Sequence, residues 1–215
     1  MKKYAIFDLD GTLLNTLDDL AAASNRALAA MGMPQHPVDA YRYFVGNGVA
    51  KLIERITPEP CRKDSEVLTQ LRKLFDEWYD VHGKDLTRPY EGILEMLDEL
   101  LAKRVKLAVL SNKPHQFVTE LVPNYFGDRF AVVYGQREGY PTKPDGSLVS
   151  LVLDELGAKS EETIYLGDSG VDMETARNGK VFAVGVLWGF RPKEELLESG
   201  AQALIAKPEE LFSLL

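Results

Sequence analysis

The sequence predicts an α/β protein in which parallel strands alternate with crossover helices, and three observations carry that expectation. Short runs that are apolar on both faces recur along the chain. Segments of helical period lie between them, and one interval of about seventy residues interrupts the rhythm with helices alone. The first run, Tyr4 to Leu9 (YAIFDL), is followed by Val105 to Leu110, Ala131 to Tyr134, Thr163 to Leu166, Val181 to Val184 and Ala203 to Ile205. Strands apolar on both sides suit a parallel sheet covered by helices better than a half-exposed hairpin. Helical periodicity falls at Gly92 to Lys103, Pro114 to Val122, Ser147 to Leu156, Val171 to Asn178 and Pro208 to Leu214. The expected fold is therefore a Rossmann-like, three-layer parallel sheet.

The interruption runs from Asn15 to about Tyr90. It contains only helical stretches, Leu17 to Met31, Val38 to Phe44, Gly48 to Ile56 and Ser65 to His82, separated by MGMPQHP and TPEPCRK. That is too long for an ordinary crossover, so residues 15–89 are expected to form an inserted helical domain and residues 1–14 with 90–215 the sheet domain. Apolar stripes such as Leu17, Leu20, Leu28 and Leu68, Leu71, Leu74, Phe75 are assigned to the helical core.

Composition narrows the function. The 215 residues carry 25 Lys and Arg against 33 Asp and Glu, a net charge of −8, which argues against binding nucleic acid, because a polyanion needs clustered cations. The single cysteine, Cys61, has neither a disulfide partner nor zinc-ligand spacing and fits a reducing cytoplasm. The N-terminus meets Asp8 too soon for the apolar region of a signal peptide, and no run approaches a membrane span, so a cytoplasmic protein with no membrane partner is expected. His36, His82 and His115 show no ligand spacing, and no heptad seam is evident, so monomer is the default expectation.

Chemistry-bearing residues gather at strand ends. In Phe7-Asp8-Leu9-Asp10-Gly11-Thr12-Leu13 two carboxylates at i, i+2 would repel without a cation, while Gly11 and Thr12 offer a tight turn with free backbone N–H groups. The same residues also read as a turn with a capping aspartate. A second acidic cluster, Gly167-Asp168-Ser169-Gly170-Val171-Asp172, follows another apolar strand and places carboxylates at i, i+4 on one side of a first helical turn. Taken alone it is equally a glycine-rich loop with capping aspartates. Together the clusters bring up to four carboxylates to one sheet edge, the hard oxygen set that Mg²⁺ selects. Ser111-Asn112-Lys113 supplies hydroxyl and amide groups, or merely the N-cap of the following helix; Lys143-Pro144 supplies a cation, or merely an exposed loop lysine. A carboxylate, a divalent ion, a hydroxyl and a lysine are the parts that hold a transferring phosphoryl group.

In order and placement these segments resemble the four motifs of the haloacid dehalogenase superfamily: FDLDGTL at 7–13, LSN at 110–112, KP at 143–144 and GDSGVD at 167–172. The helical insertion sits where that family inserts its small cap. The resemblance implies that Asp8 is nucleophile and metal ligand, that Asp10 is general acid/base with its main-chain carbonyl on Mg²⁺, and that Asp168 is a further ligand. It also implies that Asp172 lies on the outer shell of the metal or orients Lys143, with Ser111 and Lys143 on phosphate oxygens. Gly11, Thr12, Asn47 and Asn112 are the expected substrate-binding residues.

Phe44-Val45-Gly46-Asn47-Gly48 and the Trp188 to Arg191 stretch (WGFR) look most like phosphoglycolate phosphatases and similar phosphatases, although the first is also a plain turn into a helix and Trp188 a core or rim aromatic. One departure stands out: relatives often have Lys-Pro-x-Pro where this chain has Lys143-Pro144-Asp145-Gly146, and Gly146 is expected to loosen that loop. The implied activity is Mg²⁺-dependent hydrolysis of a small phosphorylated metabolite through an aspartyl phosphate, the cap closing over the substrate and choosing the leaving group. A sugar-phosphate mutase, a pyrophosphatase or nucleotide phosphatase, and more remotely a phospho-accepting signalling domain remain alternatives. Formally the four aspartates contribute −4 and Mg²⁺ with Lys143 returns +3, so a proton on Asp10 is needed for a neutral site.

Overall fold

Residues 2–215 are described by a computed structural model. The chain divides into two compact units, Met1–Leu14 with Pro89–Leu215, and Asn15–Arg88. In chain order the strands are β1 (Tyr4–Phe7), β2 (Leu14–Asn15), β3 (Arg88–Pro89), β4 (Lys106–Pro114), β5 (Val132–Gln136), β6 (Thr163–Gly167), β7 (Phe182–Val186) and β8 (Ala203–Ile205). The helices are α1 (Leu17–Ala30), α2 (Tyr41–Phe44), α3 (Val49–Ile56), α4 (Ser65–His82), α5 (Ile93–Ala102), α6 (His115–Phe126), α7 (Ser147–Leu156), α8 (Gly170–Asn178) and α9 (Lys193–Glu198).

The first unit is built on a six-stranded sheet in the order β5-β4-β1-β6-β7-β8, with every recorded pairing parallel. Side chains alternate across it. Ala5 and Phe7 of β1 pack with Ile93, Leu97, Val118 and Phe126 of α5 and α6, whereas Ile6 packs with Leu148, Val152, Met173, Ala176 and Leu196 of α7, α8 and α9. Both faces are buried, which is why β1 reads as an unbroken apolar run. The three layers expected from the sequence are thus present. The winding explains them: the chain moves outward from β1 through β4 to β5, then returns and moves the other way through β6, β7 and β8. Right-handed crossovers in opposite directions put their helices on opposite faces.

The second unit is helical. Asp64 caps α4 by accepting from the Glu66 and Val67 amides, and Leu71, Phe75 and Tyr79 form its buried stripe. Asp19, in the first turn of α1, is a buried carboxylate that accepts from the Leu86 and Thr87 amides and from Thr87 Oγ1 at 2.7–3.1 Å.

Several element limits differ from expectation. Val38 to Phe44 divides into a 3₁₀ turn (Val38–Ala40) and the single-turn α2, and Pro208 to Leu214 is 3₁₀ rather than α-helical. The short pair β2–β3, at the two points where the chain passes between units, lies in an interval expected to lack strands. The helix α9 was not expected because its sequence KEELLE buries only Leu196. Most consequential, β4 does not stop at Leu110 but continues to Pro114, with a shift of register against β5 after Leu110.

Candidate active site

The direction of winding reverses between β1 and β6, and a reversal of this kind opens a crevice at the carboxyl ends of the strands. Asp8 stands there, one residue past β1, with its amide donating to the Leu166 carbonyl of β6 at 2.9 Å. The chain then doubles back on itself: Gly11 N–H donates to the Leu14 carbonyl at 2.8 Å and Thr12 N–H to the Leu9 carbonyl at 3.3 Å. The free N–H groups expected of Gly11 and Thr12 are therefore consumed inside the turn, since so sharp a reversal satisfies its own amides first. Gly11 has φ +86°, and a Cβ there would collide with the carboxylate of Asp168, so glycine is what lets the turn lie against β6. Thr12, expected on substrate, instead directs its hydroxyl at Asp168 Oδ1 (3.4 Å) and its carbonyl accepts from Trp188 Nε1 (2.9 Å). That assigns Trp188 a fastening role at the rim.

Asp168 follows β6, and its Oδ2 accepts from the Phe190 amide at 2.7 Å. Asp172 caps α8 reciprocally with Ser169, its Oδ2 accepting from Ser169 N (3.1 Å) and Oγ (2.6 Å), while Oδ1 meets Lys143 Nζ at 2.7 Å and accepts from Tyr165 OH at 3.3 Å. Asp8, Asp168 and Asp172 each offer a ligand atom within 4.8 Å of the others. Both oxygens of Asp172 are engaged by protein donors, which favours its reading as the residue that orients Lys143 over that of a metal ligand.

Lys143 bridges Asp8 Oδ1 (2.8 Å) and Asp172 Oδ1 (2.7 Å) with its side chain almost wholly buried; it is not the exposed loop lysine of the bland alternative. Asn112, expected to bind substrate, has its Oδ1 accepting from Lys143 N at 2.8 Å and its Nδ2 donating to Lys143 O at 3.2 Å. A primary amide pairs in this way with one residue's backbone because it carries a donor and an acceptor side by side. Its role here is to hold the lysine loop. The Lys143-Pro144 peptide is cis, and Pro144 O accepts from Asn178 Nδ2 at 2.8 Å. Gly146 does not loosen this loop: a Cβ on it would come within 2.5 Å of the Asn178 backbone, so the glycine allows the loop to dock closely on the end of α8.

Ser111 is buried, and its Oγ accepts from Lys113 N at 3.2 Å; no side chain caps α6. The residue that sequence reasoning missed is Lys113. Its buried ammonium lies 3.1 Å from Asp10 Oδ1 and 3.4 Å from Oδ2. The usable signal was strand alternation: a strand carried through Pro114 puts Ser111 and Lys113 on one side and Asn112 on the other. Asn47 stays within the helical unit, where its Oδ1 accepts from Arg55 at 2.8 Å, and Gly48 (φ +81°) leads into α3.

Burial is the main force pushing Asp8 up to about 7, reinforced by the charge of Asp172 and opposed by Lys143. Burial likewise raises Asp168 well above the carboxylate range, with Asp172 and Asp8 adding to it. For Lys143 burial acts downward, but Asp172 and Asp8 outweigh it and hold the ammonium well above its ordinary value. Three buried carboxylates around one ammonium leave a surplus of negative charge on hard oxygen donors. That donor set fits a divalent ion of the Mg²⁺ type, with Asp8 and Asp168 placed to hold it.

A parallel sheet with this acidic edge, a bridging lysine and a helical insertion after the first strand defines a hydrolase class. Residues 5–186 match the haloacid dehalogenase-like hydrolase family model, and the chain belongs to that family. Its relatives include the phosphoglycolate phosphatase of Vibrio parahaemolyticus, 30% identical over 99% of this chain and 95% of that one. The phosphoglycolate phosphatase of Vibrio cholerae is 33% identical over 90% of this chain and 88% of its own length. Among solved structures, a protein of Lactobacillus delbrueckii subsp. bulgaricus provisionally named a phosphoglycolate phosphatase superposes with a TM-score of 0.93 at 32% identity, covering 100% of this chain and 98% of its own. Among the described residues no helix is long and apolar enough to cross a membrane.

Proposed function

We propose that this phosphatase hydrolyses a small phosphomonoester through an aspartyl phosphate on Asp8, with 2-phosphoglycolate as the leading substrate. Asp8 attacks phosphorus in line, the bond from phosphorus to the ester oxygen breaks, and Asp10 gives its proton to the departing alkoxide. In the second half, water attacks the same phosphorus while Asp10 takes up its proton. The acyl phosphate bond breaks, releasing inorganic phosphate and restoring the Asp8 carboxylate. A bound Mg²⁺, held by Asp8, Asp168 and the main-chain carbonyl of Asp10, would supply charge neutralisation for the phosphate. Lys143, steadied by Asp172 and Asn112, holds phosphate oxygens together with Ser111. Choice of leaving group is assigned to the helical unit, Asn47 included.

The observation that carries this reading is the separation of roles among the carboxylates: buried Asp8 and Asp168 crowd one another beside Lys143, while the partly exposed Asp10 stands apart on Lys113. It also eases a difficulty of charge, because two buried lysines rather than one face the four aspartates. Phosphate release from 2-phosphoglycolate, hexose phosphates, nucleotides and pyrophosphate, assayed with and without Mg²⁺, tests it. Release that is Mg²⁺-dependent and fastest from 2-phosphoglycolate is expected, and no release from any of them overturns the reading.

A further inference from the structure

We infer that Lys113 is a positioning residue for Asp10, holding that carboxylate at the angle from which it serves the leaving oxygen and then the attacking water. The inference rests on the reading of Asp10 as proton donor and acceptor. It starts from the backbone. β4 runs on to Pro114 through a register shift, which carries Lys113 to the catalytic edge instead of into the first turn of α6. The Lys113 side chain is only 3% exposed, and that of Asp10 12% exposed. A buried ammonium is costly unless paired, so this pairing is not the optional kind found at a surface.

The geometry fits an orienting role. Both carboxylate oxygens lie within 3.4 Å of the one ammonium, so the pairing restrains rotation about the carboxylate bond that a single contact would leave free. Lys113 is itself fixed at its root, where its amide donates to Ser111 Oγ, a residue assigned to the phosphate. The angle of Asp10 is thereby referenced to the phosphate-holding group on β4, as proton transfer to an atom attached to that phosphorus requires. Asp8 and Lys143 sit in a separate ion pair, so removing the Lys113 ammonium leaves the nucleophile's own contacts in place.

The test separates steps that need Asp10 from the step that does not. A p-nitrophenolate leaves without protonation, so p-nitrophenyl phosphate should phosphorylate Asp8 whether or not Asp10 is aimed, whereas an alkyl ester such as 2-phosphoglycolate needs the proton. Lys113→Met and Lys113→Gln, with Mg²⁺ supplied, are compared with wild type by rapid quench. Expected for both variants is a p-nitrophenolate burst within about threefold of wild type, followed by phosphoenzyme hydrolysis slowed about 100-fold, with alkyl-ester turnover down by at least that factor. KM for 2-phosphoglycolate should move much less than kcat. Equal losses on the aryl burst and the alkyl ester, or no loss on either, overturn the inference. Melting temperature and Mg²⁺ affinity identify a variant that has not folded, and the milder Lys113→Gln then decides. Asp10→Asn run alongside keeps the two readings apart: if it retains alkyl turnover the assignment of Asp10 fails, and if it loses turnover while the Lys113 variants do not, only the positioning role fails.

Discussion

Two buried carboxylate sites, one in each unit, use the same side chain for opposite ends. Asp19 in α1 is surrounded by donors, two backbone amides and a hydroxyl, and among the described residues it belongs to no cluster of three acidic groups. Asp8, Asp168 and Asp172 share one place, with Lys143 as the cation between Asp8 and Asp172. A carboxylate that has collected its hydrogen bonds outside such a cluster is a fastener; three carboxylates sharing one ammonium store affinity for a further cation. Burial alone does not mark a site of chemistry, and the balance of charge around it does.

Asp8→Asn breaks the second arrangement at its nucleophile and should lower turnover on the order of 10⁴-fold or more while the protein stays folded, because the amide removes a repelling charge. Near-normal turnover of that variant in a phosphate-release assay would give the nucleophile's role to another residue. Next comes the cation. The folded-state value of Asp8, raised to about 7 from 3.8, means the metal-free fold binds an extra proton between those values, so its stability is greatest on the acid side and falls as pH rises toward neutrality. Mg²⁺ should therefore raise the melting temperature more at pH 8 than at pH 5, and its removal by chelation should abolish turnover. A melting curve indifferent to Mg²⁺ at both values would dissociate the cluster from metal binding.

Asp19→Ala is the complementary break. Stranding the Leu86 and Thr87 amides, while the Thr87 hydroxyl keeps the Gly83 carbonyl at 3.3 Å, should cost about 3 kcal/mol of stability in denaturant titration, with the chemistry of the acidic edge untouched. A large fall in kcat with unchanged stability would make Asp19 more than a fastener. The smallest effect is expected from Gly146→Ala, whose methyl must displace the Asn178 backbone. About 1–2 kcal/mol and a several-fold loss of kcat through the Lys143 loop are expected, whereas a gain in stability would restore the view of Gly146 as a loosening residue.

The strands around the site were legible because apolar runs buried on both faces leave few alternatives, and the four motifs stood at their ends. Limits were less so. Lys193–Glu198 escaped notice because six residues with one buried leucine hold too little periodicity, and Pro208–Leu214 tightened into 3₁₀ turns that the same spacing does not distinguish from an α-helix. Within the site, Asp8, Asp168 and Lys143 could be named from residue type and position. Asp172 was named with Lys143 as one of two readings, and Asn112 and Thr12 were named without their partners: each of those side chains carries a donor and an acceptor that satisfy protein or ligand equally, and only the positions of Lys143 and Asp168 decide which.

The sequence by itself determined that a parallel sheet would bring paired aspartates, a serine and a lysine to one edge, because strand pattern and motif order are local properties of the chain. Tertiary structure alone decided that Lys113 faces Asp10, that Gly146 tightens a loop it was expected to relax, and that Asp19 is a fastener. Each depends on a neighbour between 32 and 103 residues away in the chain or on a register shift between strands. Such relations are fixed by packing, which no local pattern encodes.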